Sequence, residues 1–164
     1  MSEYGFVSAT DEVLSVRHDL AERVVAALQR AGLPACIEGE LGSRDRAGAR
    51  VEVQPDAETG SAAVSVFWGC DPAMVQAALN SLQAGRTDTP AFRYVGTMGL
   101  HMQSAMIKIL LSSGIIATLE DDTMNPDAVL VFGMMSDLPP ALRPAFVPPE
   151  PADQPSADGP SCAV

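Results

Sequence analysis

The sequence predicts an α+β domain: an antiparallel sheet of about five strands with helices packed on one face, followed by a disordered, proline-rich C-terminal tail. Three observations predict it. Three long stretches repeat apolar residues at helical spacing behind capping residues. Five short stretches alternate apolar and polar residues, or run apolar at strand length, between turn residues. Composition then changes after residue 135, where eight of the thirteen prolines lie. One domain over residues 1–135 and a tail over residues 136–164 is the division this implies. Helices on one face of a sheet is the simplest way for both to bury their apolar sides.

The first helix starts after Thr10, an N-cap, with Asp11 and Glu12 in the first turn where the helix dipole favours negative charge. Val13, Leu14, Leu20, Ala21, Val24, Ala27, Leu28 and Ala31 supply its apolar stripe, with Arg17, Glu22, Arg23 and Arg30 on the other side. Gly32 and Pro34 end it. Ala35–Leu41, Ala49–Gln54 and Ala62–Trp68 read as three strands of an antiparallel meander. Their inward set is Ala35, Ile37, Leu41, Ala49, Val51, Val53, Val64, Val66 and Trp68. Alternation of this kind leaves the second face wet or bound by a partner.

The second helix begins at Pro72 behind the N-cap Asp71 and stops at Gly85, with Val75, Ala78, Leu79 and Leu82 as its buried stripe. The third starts either at Pro90 behind Thr89 or after Gly96 behind Thr97, and runs to about Ser113. Met98, Met102, Met106 and Ile109 form one stripe, which Ile107, Leu110 and Leu111 widen, so this helix is expected to be largely buried. Gly114–Glu120 and Ala128–Gly133 read as the last two strands. Val129, Leu130, Val131 and Phe132 are apolar on both faces, the mark of a central strand. After Val147 there is almost no aliphatic residue, and proline blocks both helix and central strand, so ordering entropy goes uncompensated. The segment is expected to be partly polyproline II.

Charge and composition narrow the function classes. A net charge of −11 repels nucleic acid and anionic membrane. The most apolar run, Ala105 to Leu119, contains Lys108 and is shorter than the ~20 residues a membrane span needs. With no signal peptide at its N-terminus, the chain is expected in the cytoplasm. Its single lysine among ten basic residues, with abundant Ala, Gly and Pro, suggests a GC-rich bacterial genome. Cys36, Cys70 and Cys162 are odd in number and contain no CxxC, so no disulfide framework is expected.

Candidate chemistry is sparse. Met98, His101, Met102 and Met106 have the softness and spacing for Cu(I), but their neighbours are aliphatic and Met also fills core gaps. Glu120, Asp121, Asp122, Asn125 and Asp127 crowd one loop, yet Pro126 and Phe132 stand where a calcium loop needs Gly and Glu. Cys70 precedes a helix N-terminus, which would activate a thiol, while Asp71 opposes the thiolate. Glu38 and Glu40 disfavour a thiolate at Cys36. His18 and Asp19 are adjacent in a helix and point in different directions. Cys162 is third from the end, one place off a prenylation box. Phosphate loops, dinucleotide fingerprints, zinc spacings and hydrolase elbows are missing, and no cofactor or metal is expected.

The reading that remains is a non-enzymatic interaction module, of accessory, chaperone-like or immunity type, binding a partner protein. Its candidate surface is the outward sheet face: Cys36, Glu38, Glu40, Arg50, Glu52, Ser65 and Phe67. The alternative is a small-molecule or metal-binding protein, even an enzyme, with a pocket between the third helix and the sheet. Self-association through the third helix or the Val129–Phe132 strand stays open.

Overall fold

The computed structural model describes residues 7–40, 42, 45–57, 62–120 and 126–143. It is an α+β fold: α1 (Asp11–Arg30), β1 (Ala35–Ile37), β2 (Gly48–Val53), β3 (Val64–Gly69), α2 (Pro72–Gln83), α3 (Pro90–Ser112), β4 (Ile115–Leu119) and β5 (Val129–Met134). The strands form one sheet in the order β1-β2-β3-β5-β4. Interior β5 buries Val129, Leu130 and Val131, as a strand apolar on both faces should. Among the described residues no helix is long and apolar enough to cross a membrane.

The helices begin where their caps dictate. Thr10 Oγ1 accepts from Val13 N, Asp71 Oδ1 from Ala73 and Met74 N, and Thr89 Oγ1 from Phe92 N. The last bond decides the start of α3 in favour of Pro90, so Gly96 and Thr97 lie inside the helix. Proline at N1 loses nothing there, since its missing N–H has no helical partner anyway.

The expected meander is corrected in one place: β1 and β2 run parallel, while the other pairs are antiparallel. After three residues of β1 the chain turns at Gly39 and returns to the Pro34 end before β2 begins. There Ala49 N–H donates to Pro34 O at 2.8 Å. Gly48 has φ +153°, and a Cβ on it would sit 2.8 Å from Pro34 O, so only glycine permits this close start.

One face of the sheet carries the core. α1 packs over β1 and β2, and α3 over β4, β3 and β5. Leu28, Val24, Met106, Leu110, Val51, Val64, Val66, Val129, Val131 and Ile115 are at most 1% exposed. The space between α3 and the sheet is therefore filled with side chains. α2 packs on α3, and this changes two expectations. It buries Ala78 and Ser81 and leaves Leu79 and Leu82 about half exposed, because an outer-layer helix has only one neighbour to cover it. Likewise α3 buries Gly99, Gln103, Met106 and Leu110, while Leu100 and Leu111 face outward. The buried row is centred one position away from the expected methionine stripe.

Arg17, expected on the polar side of α1, is buried. Its Nη1 donates to the carbonyls of Gln54 and Asp56. The segment before α1 joins the same place: Ala57 N donates to Val7 O at 2.7 Å and Ala9 N to Pro55 O at 2.8 Å. Beyond β5 two short 3-10 turns, Met135–Asp137 and Pro140–Leu142, carry the described chain to Arg143, past the expected boundary at residue 135. The rest of the expected tail, with Cys162, lies outside the described residues, as do Leu41, Asp121, Asp122 and Asn125.

Candidate functional site

Among the described residues no helix packs on the second sheet face, because β2 and β3 alternate and α1 and α3 share the core side. Register decides which residues meet there. Cys36 pairs with Arg50 and Arg50 with Phe67, giving one row across three strands. Glu52 pairs with Ser65, Ser65 with Leu130 and Leu130 with Thr118, giving the next. Gln54 Nε2 donates to Ser65 Oγ at 3.1 Å between these strands. Glu38, just beyond β1, is held beside β2 by its N–H to Val51 O at 2.8 Å.

Four of the seven residues expected on this face come together. Glu38, Arg50, Glu52 and Phe67 line one shallow depression of about 280 Å³. A Cβ on Gly69 would lie 2.8 Å from the Arg50 guanidinium, so this glycine lets the arginine lie across β3. Glu40, beyond the turn at Gly39, does not line that depression. It lines an acidic depression of about 620 Å³ with His18, Glu38, Asp45 and Glu52, and a second of about 390 Å³ with Cys36, Arg46 and Arg50. The face therefore combines an aromatic ring, one arginine and a border of carboxylates.

Phe132 extends this apolar ground. The register of β4 and β5 slips between Ile116 and Ala117, so Phe132 is the extra residue of a bulge and is 50% exposed. Sequence reading had assigned it to a strand buried on both faces. Alternation sets Phe132 on the Leu130 side of β5, and it lies past Val131, the last residue paired with β3, which leaves it half exposed.

Neither described cysteine is arranged as a nucleophile. Burial pushes the Cys36 thiol up, with Glu40 and Glu38 adding to it against Arg50 and Arg46. Cys70 is buried at the end of β3; burial pushes its thiol up, then Asp127 does, while Arg50 opposes. The sign for stability follows. The folded state holds the Cys70 proton more tightly than the unfolded chain, whose ordinary value is 9.0. Its contribution is full below that value and is lost as pH rises through the raised folded value. Cys70→Ala is therefore expected to flatten the fall in urea midpoint above pH 9; an unchanged slope would remove Cys70 as its source.

No family model matches this chain, and comparison with curated proteins and with solved structures gives no match either.

The other sequence candidates are dispersed. His18 lies 3.7 Å from Glu22, one turn on, with both exposed. His101 is exposed while Met102 and Met106 turn toward the core, so the soft-ligand row does not face one way. Asp127 of the acidic loop rests against Gly99, where a Cβ would meet its Oδ2 at 2.8 Å. Among the described residues no group of three His, Cys, Asp or Glu is placed to hold a metal ion. Gln103 was not singled out by sequence. Its Nε2 donates to Pro126 O at 3.0 Å and Ala128 O at 2.8 Å, tying the acidic loop to α3. A polar residue on the apolar side of a helix was the available signal.

Proposed function

We propose that this chain is a non-enzymatic interaction module that binds a partner protein on the helix-free face of its sheet. The observation behind the reading is the depression formed by Glu38, Arg50, Glu52 and Phe67, with the half-exposed Phe132 on the same sheet. An aromatic ring beside an arginine is the combination on which protein interfaces concentrate binding energy, and a polar rim excludes water around it. The carboxylates at the β1 end select a partner with a basic segment, which the net charge of −11 attracts at long range. The same charge opposes nucleic acid. An accessory, chaperone-like or immunity-type role in the bacterial cytoplasm is the setting for such a module.

Capture of partners on the immobilised full chain from lysate of its own host tests the reading. A specific protein should be retained by the natural chain, and Phe67→Ala and Arg50→Ala should each weaken its binding by about tenfold or more, as central aromatic and arginine contacts do. Both variants should keep the natural circular dichroism spectrum. Retention of the same proteins by both variants at undiminished affinity would rule this face out.

A further inference from the structure

The acidic residues of this chain are unevenly spread. Of its 21 Asp and Glu, none lies between Asp88 and Glu120. That stretch contains α3, whose outward side carries Arg93, Tyr94, Leu100, His101, Lys108 and Leu111, all exposed. Arg93, Leu100, Lys108 and Leu111 recur at whole numbers of helical turns, so they share one ridge along the helix. Tyr94 and Leu100 are 45% and 52% exposed. Among the described residues neither Arg93 nor Lys108 has an ion-pair partner. In a chain of net charge −11, this ridge is basic and partly apolar.

The end of the sequence has the complementary character. Residues 144–164 contain Glu150, Asp153 and Asp158 and no basic residue. Phe146 and Val147 come before the carboxylates, and Pro148, Pro149, Pro151 and Pro155 favour polyproline II. The chain approaches this segment from the C-terminal end of α3. There, just past β5, Met135 N donates to Gly114 O at 2.8 Å.

We infer that residues 144–164 dock along the α3 ridge, running from its C-terminal end toward its N-terminus. Spacing supports this occupant. At ~1.5 Å per helical residue, His101 lies ~10 Å and Arg93 ~22 Å along α3 from Lys108. At ~3.1 Å per residue of polyproline II, Asp153 lies ~9 Å and Asp158 ~25 Å from Glu150. One direction of travel therefore brings Glu150 to Lys108, Asp153 to the imidazole of His101 and Asp158 to Arg93. Phe146 and Val147 then fall at the end of the ridge where Leu111 is exposed. The segment is long enough, since it reaches about 65 Å against about 35 Å for the 23 residues of α3. Charge selects the ridge over the sheet face, where Glu38 and Glu52 repel further carboxylates. The disorder expected from sequence follows from the segment's own lack of aliphatic residues. Tyr94, Leu100 and Leu111 supply that apolar ground from outside, and proline reduces the entropy lost on docking. This surface is separate from the one proposed for the partner protein.

Carbodiimide coupling of the full chain at high dilution tests it, because Lys108 is the only lysine and offers the only side-chain amine. Peptide mass spectrometry should find Lys108 joined to Glu150 within single chains. Arg93→Glu and Asp158→Asn change neither reacting group, yet each should lower the coupling yield about twofold or more, as loss of one exposed ion pair does. The backbone amide resonances of Thr97, His101 and Ser104 should shift when Glu150→Gln, Asp153→Asn and Asp158→Asn are combined in the full chain, while those of Glu52 and Phe67 stay in place. No coupling of Lys108 to the 144–164 segment overturns the inference, as does a yield that neither Arg93→Glu nor Asp158→Asn changes. Coupling found only between isotopically distinct chains also overturns it, since the segment would then reach a second copy and not its own helix.

Discussion

Leu110→Ala is expected to lower the unfolding free energy by about 2–5 kcal/mol, the cost of removing a leucine from a core that cannot collapse around the hole. Leu110 is fully buried on α3 and belongs to one cluster with Leu28 and Val24 of α1, Val64 and Val66 of β3, and Val129 and Val131 of β5. Two long helices and the sheet meet at this cluster, so the surrounding atoms are held from several sides and relaxation is small. Urea unfolding followed by circular dichroism measures the loss. The same change at Leu111, which is 39% exposed, should cost well under half as much. Equal costs at the two positions would mean that α3 is rotated from its described orientation.

Arg17→Met is expected to cost about 1–3 kcal/mol, because it keeps the aliphatic stem and removes the charged donor shared by the carbonyls of Gln54 and Asp56. The effect should also have a location. Arg17, the Val7–Ala9 segment and the start of the connection after β2 form one joint. Amide exchange at Ala9 and Ala57 should rise more than at Val66 in the middle of β3. A variant with the natural urea midpoint and unchanged exchange at Ala9 would show that water replaces the guanidinium without loss. Arg17→Lys should recover only part of the stability, since the lysine side chain is one bond shorter and its ammonium stops short of the Nη1 position that donates to both carbonyls.

Much of the local structure was legible because its causes are local. Thr10, Asp71 and Thr89 each supply a side-chain oxygen within three residues of the N–H it receives, so helix starts can be read from adjacent residues. Alternation in β2 and β3 sorted Val51, Val53, Val64 and Val66 from Arg50, Glu52, Ser65 and Phe67, because a pleated strand has a period of two. That is why four of the seven residues expected on the outward face line one depression. Glu40 falls outside it because β1 ends at Ile37, and a strand's end depends on its partner more than on its own residues.

What failed depended on neighbours. Leu79 and Leu82 have the spacing of a buried stripe, but α2 lies in an outer layer with only α3 beside it. Arg17 looked like a solvated residue until two carbonyls from a distant turn met it. Phe132 is half exposed because it lies past the last residue of β5 that β3 pairs with, and Gln103 was drawn inward by the carbonyls of the loop before β5.

The sequence by itself determined the caps of the first two helices, the alternating faces of the strands, the acidic charge and the α+β class, because each follows from residues near one another in the chain or from simple sums. Only the tertiary structure decided the parallel pairing of β1 with β2, the neighbours on either side of β5 and the meeting of Arg50 with Phe67. Those depend on which strands become neighbours and in what register, and burial of the whole core selects that arrangement at once.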